Sequence, residues 1–380
     1  ASGLMSCDHT NKKHDAKVQS VLYKLDTVHM ALPNHMSGIM LKPQYYNDVG
    51  NKIISYNNVE HALELYNLDS LNSSEKINLQ YHGEDGIKSV SDLHVLGNDT
   101  ILIRSKYSCL YLVSLKNAPT VIKKIDLNKV NGINQRNYTF MREGIHARNF
   151  DDLAISENNK QLLLPIYPTI RKTEWEKFHQ KEFMAKVWLN RDSASVIPLS
   201  YPEAFTKHSY ADFDYPDLQY VKNRILYAFR NKSTVYSCDL SGNNIVSFPT
   251  KANHIDETIK PAPEKSKYDT EYLRNSSHYY GIKYDSFQKL YYRFYVAKNS
   301  HPSHYYMMVL DSCLTKIKEI SPPIKPFGKD IITPEGIMFP IDSKVNGNTT
   351  YLQWLRISLK KNVHTILNKP IHSKTNNPKQ

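Results

Sequence analysis

Cysteine is scarce: the 380 residues hold four, Cys7, Cys109, Cys238 and Cys313, with no C-x-x-C and no Cys/His ligand spacing among them. That excludes the usual structural zinc modules. With Cys7 set apart, three remain, an odd number that argues against a disulfide framework even in an oxidising compartment, so these three read as buried thiols. Glycine is also sparse, at 13 residues, and neither a G-x-S-x-G elbow nor a phosphate loop occurs. Gly-rich nucleotide cradles and the α/β-hydrolase elbow drop out with them. The 16 histidines contain no H-E-x-x-H, and pairs such as His301 and His304 lack a third ligand at a metal-binding spacing, so neither a metal nor a cofactor is expected. Long apolar runs are missing too. Residues 305–310 form one of the longest, far short of the roughly 18 residues a spanning helix needs. Acid is in deficit, giving a net charge of +12, yet the basic residues are scattered and the densest places, Lys123-Lys124 and Lys360-Lys361, are only pairs. No clustered basic stripe marks a nucleic-acid footprint, so nucleic acid is not an expected partner.

What is present is a β-rich repeat. The chain is 40% hydrophobic with 27 Tyr, enough for a buried core and too apolar for a disordered chain. Residues 63–69 with 76–79, 110–115 with 121–125, 234–240 with 245–248, and 306–311 with 317–320 each read as a strand, a polar turn and a second strand. Each hairpin follows another β-rich run, at 52–56, 100–104, 224–229 and 289–295, and in two cases a further one, at 90–95 and 280–284. Four strands make the blade of a propeller. Two looser units, at 150–189 and 336–359, bring the count to six, starting near residues 40, 95, 150, 215, 280 and 335. The fold class expected is therefore all-β, a six-bladed β-propeller of four-stranded antiparallel blades. A large β-sandwich would also show many strands, but not this regular recurrence. Residues 174–184, with Trp175, Phe178, Phe183 and Met184 apolar, predict one short helix between strands. Residues 254–277, with Pro261 and Pro263, predict an exposed loop between blades.

The first residues, Ala1-Ser2-Gly3-Leu4-Met5-Ser6-Cys7, place Leu4 three before Cys7 and a small residue directly before it. This resembles a bacterial lipobox, in which the signal segment is cut and the cysteine thiol takes the lipid. The polar stretch that follows suits a tether. The expected organisation is a lipid-attachment segment and tether over 1–30, the propeller over 31–362 and a disordered polar tail over 363–380. The expected place is the cell envelope, lipid-anchored, with no other membrane contact, as a monomer.

The run Tyr279-Tyr280-Gly281-Ile282-Lys283-Tyr284-Asp285-Ser286-Phe287-Gln288-Lys289-Leu290-Tyr291-Tyr292-Arg293-Phe294, with Ile225-Leu226-Tyr227-Ala228-Phe229 and its following hairpin, resembles a family of Bacteroidota lipoproteins built on a six-bladed, TolB-like propeller, a domain of unknown function. The resemblance spans about 41–359 and implies fold and location without implying chemistry.

Candidate ligand-binding residues come from charge set in unusual places. Arg293 stands in an aromatic strand, where a buried guanidinium points into a pocket or lies on Tyr faces and ties two blades together. His146, Arg148 and Asp152 concentrate titratable groups before a strand, and Glu335 sits in a Pro-Glu-Gly turn that could reach the central channel. No catalytic residue is assigned. The expected function is a binding or scaffolding module for an envelope protein or glycan. The alternative is an extracellular glycan- or peptide-acting hydrolase or lyase, for which Asp151/Asp152 and Asp212/Asp214 are carboxylate pairs to examine.

Overall fold

A computed structural model describes residues 21–32, 41–46, 50–97, 99–105, 108–140, 154–156, 158–170, 174–255, 259–262, 272, 275–298, 304–322, 329–346 and 349–361. The first strand, β1 (Val21–Leu32), belongs to the last blade. Blade 1 follows as β2 (Leu41–Tyr46), β3 (Lys52–Asn57), β4 (Ala62–Asn67) and β5 (Asn72–Asn78), and blade 2 as β6 (Asp92–Gly97), β7 (Thr100–Arg104), β8 (Cys109–Ser114) and β9 (Thr120–Asp126). A short ribbon pairs β10 (Tyr138–Thr139) with β13 (Tyr167–Pro168) around blade 3, which consists of β11 (Ala154–Ile155), β12 (Gln161–Pro165), β14 (Glu182–Trp188) and β15 (Ser193–Ser200). Blade 4 is β16 (Pro216–Val221), β17 (Arg224–Phe229), β18 (Thr234–Asp239) and β19 (Val246–Pro249), and blade 5 is β20 (His278–Asp285), β21 (Leu290–Ala297), β22 (His304–Leu310) and β23 (Lys316–Ile320). Blade 6 is β24 (Ile331–Thr333), β25 (Gly336–Asn346), β26 (Thr349–Lys361) and β1. All pairing within blades is antiparallel, with strand order following the chain except where β1 completes blade 6.

That exception closes the ring. β1 runs beside β26 without a break in register, from Val21↔Lys361 to Leu32↔Thr350, so the two ends of the propeller are stitched by main-chain hydrogen bonds. Its period of two puts Val28, Met30 and Leu32 inward, against Trp354, Leu352 and Ile53 of the seam between blades 6 and 1. The expected tether over 1–30 is corrected here: residues 21–30 are part of the propeller.

Between blades, apolar wedges of differing chemistry fill the space. Blades 1 and 2 meet through aliphatic residues such as Ile54, Leu65, Leu93 and Ile103, whereas blades 3, 4 and 5 share an aromatic cluster of Phe183, Tyr201, Phe205, Phe229 and Tyr295. Phe205 and Phe229 lie 5.0 Å apart with their planes tilted and Tyr227 stacks on Tyr236 at 5.0 Å, within the separation over which aromatic rings attract. Turns between the two outer strands reuse one device. Asn67 Oδ1 accepts from the N–H groups of Asp69 and Ser70, Asp239 Oδ1 from those of Ser241 and Asn243, and Asp311 Oδ1 from those of Cys313 and Thr315, each an Asx turn that fixes the hairpin register. Gly336 turns the inner hairpin of blade 6 at φ +138, where a Cβ would sit 2.2 Å from the Ile357 carbonyl oxygen, so no larger residue fits.

Two expectations shift. The helix predicted over 174–184 is only α1 (Trp175–His179), because Glu182 already begins β14, whose Phe183 and Met184 face the core as strand residues. A second short helix, α2 (Glu203–Lys207), buries Phe205. Of the three thiols expected to be buried, Cys238 is buried, Cys109 is partly exposed and Cys313 is exposed. Cys7 and the tail over 363–380 lie outside the described residues, and the loop predicted over 254–277 lies only partly inside them.

Candidate functional site

Every blade contributes its first, innermost strand to a central channel. The channel holds a cavity of about 470 Å³ lined from all six blades, within the range of roughly 300–1,000 Å³ typical of small-molecule sites. Along an inner strand alternate residues face the channel, and the sequence supplies polar groups there: Gln44 on β2, His94 on β6, Ser156 after β11, Gln219 on β16, Lys283 on β20, and Lys329 with Asp330 leading into β24. Rings fill the gaps between them: Tyr45, Tyr220, Tyr284 and Phe287.

Two charge groups organise this lining. Asp92, at the start of β6 and almost wholly buried, accepts from His94 Nε2 at 3.1 Å through one oxygen and lies 3.5 Å from Lys329 Nζ through the other. Burial by itself would raise the Asp92 carboxyl. The charges of Lys329, His94 and Lys42 outweigh it and hold the group well below the usual carboxylate range. The second group pairs Lys283 Nζ with Asp330 Oδ1 at 2.7 Å, tying β20 to the start of β24. The other oxygen of this carboxylate, Asp330 Oδ2, is buried on the channel wall and has no hydrogen-bond partner among the described residues.

The position of Phe287 is set by the hairpin that carries it. Asp285, fully buried at the end of β20, accepts the N–H groups of Phe287 and Gln288 through Oδ1 and the Tyr292 hydroxyl at 2.5 Å through Oδ2. The ring then meets Tyr45 of blade 1 edge-on at 5.7 Å. A buried carboxylate thus holds an aromatic side chain at the channel, with Phe287 still 41% exposed.

The sequence candidates divide. Arg293 does not reach the channel. It is completely buried on β21, with Nη1 donating to the Ser233 carbonyl and to Thr250 Oγ1 at 2.8 Å, and Nη2 donating to the carbonyls of Phe229 at 3.2 Å and Lys232 at 2.8 Å. Its guanidinium lies 4.4 Å from the Tyr279 ring centroid. This is the blade tie: blade 5 reaches into the β17–β18 turn of blade 4 and satisfies its carbonyls. Burial brings the guanidinium down to about 10, with Tyr279 and Asp217 opposing, so it stays charged at neutral pH. Glu335 is also elsewhere. It pairs with Arg356 Nη1, whose Nη2 reaches Asp26 of β1 at 2.9 Å, so it braces the outer part of blade 6, and the expected reach into the channel is corrected. Asp214 of the pair Asp212/Asp214 is buried and accepts from His179 Nε2 at 2.8 Å, inside the aromatic cluster. His146, Arg148, Asp151 and Asp152 lie outside the described residues.

Missed from the sequence were Asp92, His94, Lys283, Lys329 and Asp330. The signal was there in the repeat: these are the polar residues in or just before the first strand of a unit, the strand that a propeller turns inward. Among the described residues no group of three or more His, Cys, Asp or Glu side chains is placed to hold a metal ion, and no helix is long and apolar enough to cross a membrane.

The model of a domain of unknown function, DUF4221, matches residues 15–321. A crystal structure of a DUF4221 member from Bacteroides vulgatus ATCC 8482 superposes with a TM-score of 0.67 at 16% identity, over 91% of this chain and 100% of that one. A putative exported protein from Bacteroides fragilis NCTC 9343 superposes with a TM-score of 0.52 at 12% identity, over 88% of this chain and 95% of that one. At these identities the likeness is one of fold. No protein of curated function matches the sequence.

Proposed function

The chain belongs to the DUF4221 family, and from that premise we propose that its propeller is a binding module of the cell envelope, receiving part of a protein or glycan partner in the central channel. The observation that carries this reading is the lining: six inner strands from six blades converge amides, rings and charges on one cavity. A rigid scaffold that aims convergent polar groups into a concave space is what a ligand site requires. Anchorage through a lipid on Cys7 belongs to the same proposal and is supported by the residues Leu4-Met5-Ser6-Cys7.

The channel chemistry favours binding over hydrolysis. A glycosidase needs one carboxyl group that keeps its proton near neutral pH. Asp92 is held ionised by its cations, so it is not set up as that acid, and Asp330 has one oxygen engaged by Lys283. The test is to immobilise the full-length chain and measure binding of envelope proteins and envelope glycans to wild type and to Ser286→Trp, which fills the channel from an exposed hairpin position. The reading expects the substitution to abolish binding. Binding that survives Ser286→Trp unchanged, with the variant folded, sinks it.

A further inference from the structure

Resting on that reading of the channel, we infer that its occupant is the end of a neutral saccharide, with a ring hydroxyl donating to Asp330 Oδ2 and a C–H face laid on Phe287. The first observation is the orphan oxygen. A buried acceptor without a donor costs free energy unless a bound group satisfies it, and Asp330 Oδ2 is such an acceptor on the wall of the cavity. It calls for a donor: a hydroxyl or an ammonium.

The surrounding charge decides between these. Lys283 and Lys329 line the cavity with His94. Lys283 and Lys329 already stand on the two carboxylates, Asp330 and Asp92, so a cationic group entering the channel would have to sit beside a lysine. An anionic group fares no better at this point, because it would meet the Asp330 carboxylate while Lys283 and Lys329 already lean on Asp330 at 2.7 Å and Asp92 at 3.5 Å. A neutral hydroxyl meets neither penalty and takes a charge-assisted hydrogen bond, the stronger kind.

The rest of the wall suits a sugar ring. Gln44 and Gln219 stand on inner strands of different blades and supply amides, which both donate and accept as sugar hydroxyls do. Phe287 is offered with its ring partly exposed and its backbone fixed by Asp285, so little order is lost when a ligand packs on it. Polar acceptors beside a preset aromatic face match the two surfaces of a pyranose, hydroxyl edge and C–H face.

The experiment is a binding screen of the full chain against three sets of soluble oligosaccharides of matched length: neutral (gluco-, manno- and xylo-), uronate-containing, and amino-sugar with free ammonium. Binding by the neutral set is expected, falling at least tenfold in Asp330→Asn and in Phe287→Ala. Phe287 is exposed enough for its truncation to leave the fold intact, which keeps the test decisive if Asp330→Asn folds poorly. Preferential binding of the uronate or ammonium set, or neutral binding indifferent to both substitutions, overturns the inference. If no saccharide binds but a photo-crosslinker at Ser286 attaches to an envelope protein, the saccharide is wrong and the channel reading stands. If neither occurs, both fall.

Discussion

Arg293 and Asp330 are both charged groups taken out of water, and they differ in what completes them. Arg293 finds its acceptors within its own chain: three carbonyls of the β17–β18 turn and Thr250 Oγ1, with a tyrosine face beneath. Only its Nε lacks a partner, and that atom is sealed in the seam between blades 4 and 5. Asp330, which lines the cavity, has one oxygen engaged by Lys283 and the other buried without a hydrogen-bond partner among the described residues. A buried charge satisfied from within serves the fold. One satisfied halfway, beside space, is set for something that arrives. Asp285 stands with Arg293: both of its oxygens are used to shape a hairpin.

Substitutions break this comparison in graded ways. The largest effect belongs to Arg293→Met, which keeps bulk but strands four acceptors, of which the Phe229 carbonyl and Thr250 Oγ1 are buried. It should cost about 3–5 kcal/mol of unfolding free energy, the scale for removing one partner from a buried charged network, as read by urea denaturation, and a change under about 1 kcal/mol would show that the tie is dispensable. Next is Asp285→Ala, which removes two backbone caps and leaves the Tyr292 hydroxyl buried alone. It should cost about 2–4 kcal/mol and also weaken channel binding, because Phe287 loses its anchor.

Acid sharpens the comparison further. His278 stacks on Phe213 at 4.8 Å and burial pushes its imidazole down to about 3, against the Ser276 carbonyl that favours the charged form. The unfolded chain therefore binds a proton near pH 6.5 that the folded chain refuses, so stability should fall as pH drops from about 6.5 toward 3. Asp92, depressed by its cations, contributes stability above its unfolded value near 3.8 that is lost only at still lower pH. Denaturation midpoints measured against pH should fall in two stages, with His278→Gln flattening the upper stage and leaving the lower. The smallest effect is that of Glu335→Gln. Its side chain is more than half exposed and Arg356 keeps Asp26, so stability should move by less than about 1 kcal/mol and channel binding not at all.

Much of the architecture was readable because blades are local. A hairpin such as 234–240 with 245–248 announces itself by alternation and a turn, and all four strands of its blade lie within about 35 residues of one another. The closing strand was not readable in that way. Val28, Met30 and Leu32 do alternate, but their partners Trp354, Leu352 and Thr350 stand more than 300 residues away, and nothing nearby marks the pairing. The helix ends at His179, short of Met184, because Phe183 and Met184 are apolar neighbours that fit either period, and β14 pairs with β12 and β15 as a strand. For the site, Arg293 was legible as a buried charge, while its direction was not. That depends on which turn of the neighbouring blade lies opposite. Lys283 and Asp330 look like ordinary solvent-facing charges in sequence. Only the ring, which brings β20 and β24 side by side, turns them into a pair.

The most direct measurement is a paired one on Asp330→Asn: unfolding free energy and affinity for the neutral oligosaccharide set, on the same preparation. The amide keeps an acceptor for Lys283, so folding should stay within about 2 kcal/mol of wild type while affinity drops at least tenfold. A variant that loses stability on the scale of Arg293→Met, or that binds as tightly as wild type, would make Asp330 a structural residue like Arg293 and leave the channel without its ligand-facing charge.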